Sequence, residues 1–185
     1  MDMGMQEKST PFNLLLEIDQ LYTDSGISLP EQRRLQASIW TGIGFRLGQY
    51  HFVIAINYLE EILTEPTYTA IPIVKPWLKG VANMRGHLLP VMDLNKLFGI
   101  PSEASRKQRR VMAVKNTDGG YVGFLVDAVY GMQYFSADNQ LAGTVDIPES
   151  LTPFIAGVYK GEQQKWLIFN TEAFMASPQF LTIGQ

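Results

Sequence analysis

The chain has 185 residues, of which 46% are hydrophobic and 18% charged, and this composition excludes an intrinsically disordered protein. The net charge of -3 argues against an electrostatic grip on nucleic acid or anionic lipid, and the absence of cysteine excludes disulfides and cysteine-ligated zinc. No uncharged apolar run approaches the roughly 18 residues of a membrane-spanning helix, and the first residues lack a secretory signal pattern, so we expect a soluble cytoplasmic protein.

Two helices are predicted in the first 39 residues. Thr10 and Pro11 have the form of an N-cap followed by proline at the first helical position, and apolar residues recur at helical spacing up to Tyr22. A second start, from Ser28 to Glu31, has the Ser-x-x-Glu form of a capping box. We therefore expect residues 1–39 to form an N-terminal helical extension, whose apolar face packs either on the rest of the chain or on a partner.

From residue 40 onward the pattern changes to short strands separated by glycine-containing turns. Strands are predicted at residues 42–47, 50–56, 80–84, 87–94, 110–115, 121–126, 131–136, 155–159 and 165–169. Short helices are predicted at residues 57–63, 95–98 and 171–176. Short strands with few long helices favour small antiparallel barrels over a doubly wound α/β sheet, and we expect residues 40–185 to form two such barrel subdomains.

The sequence contains no complete catalytic or metal-binding pattern. His51 and His87 lack the spacing of a metal motif, so both are predicted to be strand residues. Asp93, Asp127 and Glu61 are conceivable as an acid–base set, but nothing in the sequence brings them together, and Asp93 equally fits the N-cap of the helical turn that follows it. We expect neither an enzyme nor a bound metal or cofactor.

The basic run SRKQRR at residues 105–110 is the best candidate for a nucleic-acid contact. The run lacks interleaved aromatic residues, belongs to an acidic chain and leads directly into a predicted strand. A solvated loop is therefore the favoured interpretation, and nucleic acid is not an expected partner.

One stretch, GVANMRGHLLPVMDL at residues 80–94, is more specific than the rest. It forms two predicted strands joined at Arg85 and Gly86, where a tight turn requires the glycine but not the arginine. The stretch resembles the motif of the CheW-like chemotaxis adaptor family, Gly-Val-x-Asn-Leu-Arg-Gly followed by Pro-Val-x-Asp-Leu, with Met84 at the leucine position. Residues 45–63, 121–135 and 155–174 resemble further blocks of the same family in the same order.

The resemblance implies a mainly β fold of two intertwined five-stranded SH3-like β-barrels. It implies a non-enzymatic adaptor that binds the cytoplasmic tip of a methyl-accepting chemoreceptor and the regulatory domain of a CheA-type histidine kinase. Such a protein does not insert into the membrane, and its partners recruit it to membrane receptor arrays. The segment at residues 10–22 resembles the leader found in the branch of the family that serves type IV pili and twitching motility.

Three alternative functions are compatible with parts of the sequence pattern. The first is an adaptor of a flagellar-type chemotaxis system. The second is a phosphorylation-dependent scaffold with a fused receiver domain, for which the eleven residues after Phe174 leave no room. The third is a small-molecule-binding β-barrel protein, which requires a polar pocket that the sequence does not reveal.

The resemblance also implies which residues bind partners. In the family, the motif arginine lies near the receptor-binding groove and pairs with a glutamate that follows the second strand, which implies a pair of Arg85 with Glu61. Asn83 and Gly86 would shape the turn, and the alternative is an ordinary exposed ion pair worth about 0–1 kcal/mol. The apolar candidates for the interface, each of which fits the core equally well, are Leu59, Val81, Leu89 and Val91.

Overall fold

The structure is a computed structural model that describes residues 39–72, 74–116, 118–141 and 146–181, so that the helices expected before residue 39 lie outside the described residues. One sheet contains β1 (Ile39–Leu47), β2 (Tyr50–Ala55), β8 (Ala128–Ser136), β9 (Gln140–Leu141), β10 (Ile155–Lys160) and β11 (Lys165–Phe169). The other contains β3 (Leu59–Thr64), β4 (Leu78–Met84), β5 (His87–Asp93), β6 (Arg110–Lys115) and β7 (Tyr121–Val126). The α-helices are α1 (Leu94–Phe98), α2 (Thr171–Met175) and α3 (Pro178–Leu181).

Each sheet closes on itself because one stretch of chain pairs at both of its edges. The first sheet has the order β8-β1-β2-β11-β10-β9, and β9 follows β8 after one 3-10 turn, so the β8–β9 stretch pairs with β1 and also with β10. The second sheet has the order β3-β6-β7-β5-β4, and Thr69, beyond β3, pairs with Val81 of β4 through hydrogen bonds of 2.8 and 2.9 Å. Both sheets are therefore small barrels. The first has five strands when β8 and β9 are counted as the two parts of one interrupted strand.

The two barrels exchange their hairpins. The succession of a hairpin, a strand, a short bridging segment, a second hairpin and a helix occurs twice, first from β1 to α1 and then from β6 to α2. The hairpin that opens each half pairs with the strands of the other half, through the parallel pairs β2–β11 and β5–β7. Neither barrel is complete without both halves of the chain, which is the intertwined arrangement that the family resemblance implies.

A shared aromatic core holds the barrels together. The ring of Phe174, on α2, lies between 5.3 and 5.8 Å from the rings of five other phenylalanines, which are Phe98, Phe124, Phe154, Phe169 and Phe180. Each barrel also has a small interior of its own. The buried residues of the first interior are Val53, Phe135 and Trp166, and those of the second are Ala82, Met84, Leu89, Val91, Val111, Ala113 and Leu125.

The helix predicted at residues 57–63 is wrong. A 3-10 turn at Ile56–Tyr58 leads instead into β3, which pairs with β6 in an antiparallel ladder. In β3 the half-buried residues Leu59, Glu61 and Leu63 alternate with exposed ones, which is the period of a strand. A six-residue segment is too short for periodicity alone to separate the two structures, and the pairing with β6 decides between them. The predicted helical turn after Asp93 is present, and the Asp93 carboxylate caps it by accepting a hydrogen bond from the Lys96 amide.

The basic run at residues 105–110 begins as the expected exposed loop, over residues 105–108, and its arginines tie that loop to the framework. Arg109 forms an ion pair with Glu65, with Nε–Oε2 and Nη2–Oε1 distances of 2.7 and 3.0 Å, and the Glu65 side chain is only 3% exposed. Arg106 donates to the carbonyl of Pro66, while one Arg110 nitrogen donates to three carbonyls of the same loop. These contacts tie the segment after β3 to the loop before β6, and they engage one or more side-chain nitrogens of each of the three arginines.

Substitution of Glu65 by glutamine is expected to lower the free energy of unfolding by about 3 kcal/mol or more, because Arg109 is then left partly buried without its counterion. The matched control is Glu60→Gln, since Glu60 pairs with the exposed Lys115 at 3.1 Å and an exposed pair contributes about 0–1 kcal/mol. Urea denaturation of both variants measures the difference. Equal and small effects would show that the Glu65–Arg109 pair does not hold the barrel together.

Candidate functional site

The turn between β4 and β5 holds an arginine in a backbone conformation that arginine rarely adopts. Met84 pairs with His87, so Arg85 and Gly86 alone form the loop, and their φ angles of 51° and 87° are both positive, as in a type I′ turn. The Asn83 side chain supports the turn by accepting a hydrogen bond of 2.8 Å from the Gly86 amide. Arg85 is the one non-glycine residue with positive φ in the described part of the chain, at a cost of about 1–2 kcal/mol.

The arginine side chain forms the ion pair that the resemblance implies. Arg85 Nε lies 3.1 Å from Glu61 Oε2, and the two side chains are 76% and 25% exposed. Because Glu61 is on β3 and Arg85 follows β4, the pair spans the two edge strands of the second sheet at one end of its barrel. Among the described residues the two terminal nitrogens of Arg85 have no hydrogen-bond acceptor, so they are available to a partner.

A second ion pair begins at the neighbouring residue, since Glu60 pairs with Lys115. The hydrogen bond to Glu60 and the attraction of its charge raise the pKa of the Lys115 ammonium above its ordinary value. The ring of Tyr121 lies 6.2 Å from that of His87, the first residue of β5. This end of the barrel therefore carries two pairs of opposite charges and two exposed or half-buried aromatic rings.

The apolar residues expected at the interface do not all reach the surface. Leu89 and Val91 are 0% exposed and belong to the interior of the second barrel, which is the core position that the sequence left open for them beside the interface. Leu59 is half-buried against the shared core, and the half-buried Val81 is held by its bridge to Thr69. Of the predicted residues, the structure brings together Arg85, Glu61, Asn83 and Gly86 at the surface.

One surface residue was missed by the sequence analysis. Leu88 pairs with Asn83 across the β4–β5 ladder and is 77% exposed, because consecutive residues of a strand face opposite sides and its neighbour Leu89 faces the interior. Two adjacent leucines give no signal in the sequence for which one faces outward. We call the set of Glu61, Asn83, Arg85, Gly86 and Leu88 the hairpin surface.

The carboxylates considered as an acid–base set are each engaged elsewhere. Glu61 pairs with Arg85, Asp93 caps α1, and the buried Asp127 accepts three hydrogen bonds of 2.5 to 2.8 Å. Within the described ranges no three histidine or acidic side chains are grouped as metal ligands would be. The helices in the same ranges are all too short or too polar to cross a bilayer.

Comparison with known proteins places these features in a family. A profile of the CheW-like domain matches residues 41–179. The chain is 43% identical over 180 residues to the protein PilI of Pseudomonas aeruginosa, and this alignment covers 97% of the chain and 99% of PilI. It is 33% identical over 85 residues to the chemotaxis protein CheW of Helicobacter pylori, covering 46% of the chain and 51% of that protein.

A solved structure has the same fold. The scaffolding protein TtCheW from Thermoanaerobacter tengcongensis superposes with a TM-score of 0.65, at 24% identity, over 76% of this chain and 94% of that one. At this identity the likeness concerns the fold alone, and it confirms the pair of SH3-like barrels.

Substitution of Arg85 separates the role of its backbone from that of its side chain. Asparagine adopts positive φ more readily, so Arg85→Asn is expected to leave the free energy of unfolding unchanged within about 1 kcal/mol, despite the loss of the exposed ion pair. Arg85→Val also removes the ion pair, but its β-branched side chain is strained at positive φ and is expected to cost at least a further 1 kcal/mol. Thermal and urea unfolding measure both variants. A loss above about 2 kcal/mol in Arg85→Asn would make Arg85 a structural residue.

Proposed function

The chain belongs to the CheW-like family of scaffold proteins, and on this basis we propose that it is a non-enzymatic adaptor that couples a methyl-accepting chemoreceptor to a CheA-type histidine kinase in the chemosensory system of type IV pili. The receptor tip and the kinase regulatory domain are its partners. It joins membrane receptor arrays through these partners.

The extent of the similarity supports the pilus system. The alignment with PilI covers 97% of the chain and therefore includes most of residues 1–39, whereas the alignment with the Helicobacter chemotaxis protein covers 46%. The leader is thus shared with the pilus relative in addition to the barrels. This favours the pilus system over a flagellar-type system.

The strained Arg85 is the observation that supports the hairpin surface as a partner site. Asparagine or glycine would form the turn at lower energy, so the presence of arginine has to be explained by its side chain. Strained residues held by a rigid framework concentrate at functional sites, and this residue is mostly exposed with two free terminal nitrogens.

The chemistry of the hairpin surface indicates what the partner presents. A guanidinium with a free edge binds a carboxylate through two parallel hydrogen bonds. Leu88 lies three residues along the chain from Arg85, and burial of an exposed leucine contributes roughly 1.5–3 kcal/mol. The expected partner segment therefore carries an acidic side chain next to an apolar one.

Binding titrations by calorimetry test this function. The purified chain is titrated with the regulatory domain of the CheA-type kinase of the pilus system, with the regulatory domain of a flagellar-type kinase, and with a peptide of the receptor tip. We expect saturable binding to the pilus kinase and to the receptor peptide, and weaker binding to the flagellar-type kinase. Binding to the flagellar-type kinase alone would retain the adaptor and reject the pilus system, and binding to no partner would reject the adaptor.

Variants of the hairpin surface locate the contact. Arg85→Glu and Leu88→Ser are each expected to weaken binding to at least one partner by about tenfold or more. Each variant removes an exposed side chain that is expected to contact the partner. The matched control is Leu181→Ser, since Leu181 is a leucine of similar exposure on α3. Unchanged affinity for all partners in Arg85→Glu, with the fold intact, would remove the hairpin surface from the proposal.

A further inference from the structure

A cleft of about 650 Å³ lies at a different place from the hairpin surface. One wall is the turn between β1 and β2, the other is the loop that follows α1, and Asp127 and Pro148 also line the cleft. This volume is within the range of sites that bind small organic ligands, which is roughly 300–1,000 Å³.

The walls of the cleft are fixed by one buried carboxylate. Asp127 accepts hydrogen bonds from the Gly48 amide at 2.6 Å, from the Asn95 side chain at 2.8 Å and from the Ser102 hydroxyl at 2.5 Å. These donors belong to the β1–β2 turn, to α1 and to the loop after α1, so a single side chain ties the two walls to each other and to α1. A ligand would therefore find the cleft already formed, which lowers the entropic cost of binding.

Arg46 is the one cation among the residues that line this cleft. Its Nη1 donates to the carbonyl of Gly48 at 3.1 Å, and no acidic side chain of the described residues forms an ion pair with it. The Nε and Nη2 nitrogens remain, and they form the edge of the guanidinium that presents two parallel N–H groups. That geometry matches the two oxygens of a carboxylate.

The positive charge of Arg46 affects a neighbouring titratable group, His51. Burial and, as the smaller effect, the positive charge of Arg46 lower the pKa of His51, which pairs with Arg46 across the β1–β2 hairpin. The carboxylate of Asp127 also lines the cleft, but it is fully buried and has three donors of its own. Glu103 lines the cleft as well and is exposed to water, which screens its charge.

We propose that this cleft binds a small organic carboxylate. The carboxylate group lies on the Nε and Nη2 edge of Arg46, and the apolar part of the molecule packs against Ile100, Pro101 and Pro148. The cleft is built from the β1–β2 turn and the loop after α1, so this inference does not depend on the adaptor function or on the hairpin surface.

The test is a titration of the ¹⁵N-labelled chain, followed by amide chemical shifts, with phenylacetate and with its uncharged counterpart phenylacetamide. We expect saturable shifts at Gly48, Gln49 and Gln108 with phenylacetate, and binding at least about tenfold weaker with phenylacetamide, because only the former offers a carboxylate to Arg46. Arg46→Gln is expected to weaken phenylacetate binding to a similar degree. The control is Lys107→Gln, because Lys107 is on the same loop but does not line the cleft, and this variant is expected to retain phenylacetate binding.

Two results would overturn the inference. The first is equal affinity of the unaltered protein for phenylacetate and phenylacetamide, which would show that the cleft does not recognise a carboxylate. The second is the absence of saturable shifts at these amides up to about 20 mM phenylacetate, well above the millimolar dissociation constant of a weak ligand. Both arms use the unaltered chain, so they decide the question even if Arg46→Gln does not fold.

Discussion

The exchange of hairpins between the two barrels is the constraint on which the remaining structure depends. Each half of the chain provides the opening hairpin of the barrel that the other half completes, and the phenylalanines around Phe174 fill the space between the two barrels. Removing the pairing β2–β11 or β5–β7 would open one barrel and expose the core that both share. The turn of Arg85 and the cleft of Arg46 therefore lie on a framework that is specified by long-range contacts, which is what allows a strained or polar feature to persist.

Burial decides what each ion pair does. Glu65 and Arg109 form a pair with an almost fully buried carboxylate, so the loss of one partner leaves a buried or partly buried charge that water solvates poorly. Arg85 and Glu61 have the same chemistry and a similar distance, but Arg85 is exposed and the pair contributes little to stability. The first pair holds the segment after β3 in place, and the second leaves a guanidinium edge facing water. The buried pair of Glu65 and Arg109 thus stabilises the framework, whereas the exposed pair of Arg85 and Glu61 leaves the guanidinium of Arg85 available for binding.

The pair of Arg85 with Glu61 was accessible from the sequence only through the family resemblance. Residues 61 and 85 are far apart in the chain, and no local pattern indicates that β3 and the β4–β5 turn meet at one end of a barrel. The apolar part of the surface shows the limit of local patterns, since Leu88 and Leu89 are chemically identical and only the register of β5 turns one outward and the other inward. For Leu89 and Val91 the sequence left both the interface and the core open, and the structure places both in the core.

The sequence by itself determined most of the strands and turns, because alternating apolar residues, glycines and caps act over a few neighbouring residues. Strands β6, β7 and β11 have the predicted bounds, and Asp93 caps α1. It also determined that Arg85 is an unusual residue for a tight turn. The tertiary structure alone decided that residues 59–64 form a strand, that the basic run binds carbonyls and Glu65, and that Asp127 joins the two walls of a cleft to α1. These outcomes depend on pairing and burial between distant segments, and the free energy of such contacts exceeds the small local preferences that a sequence pattern records.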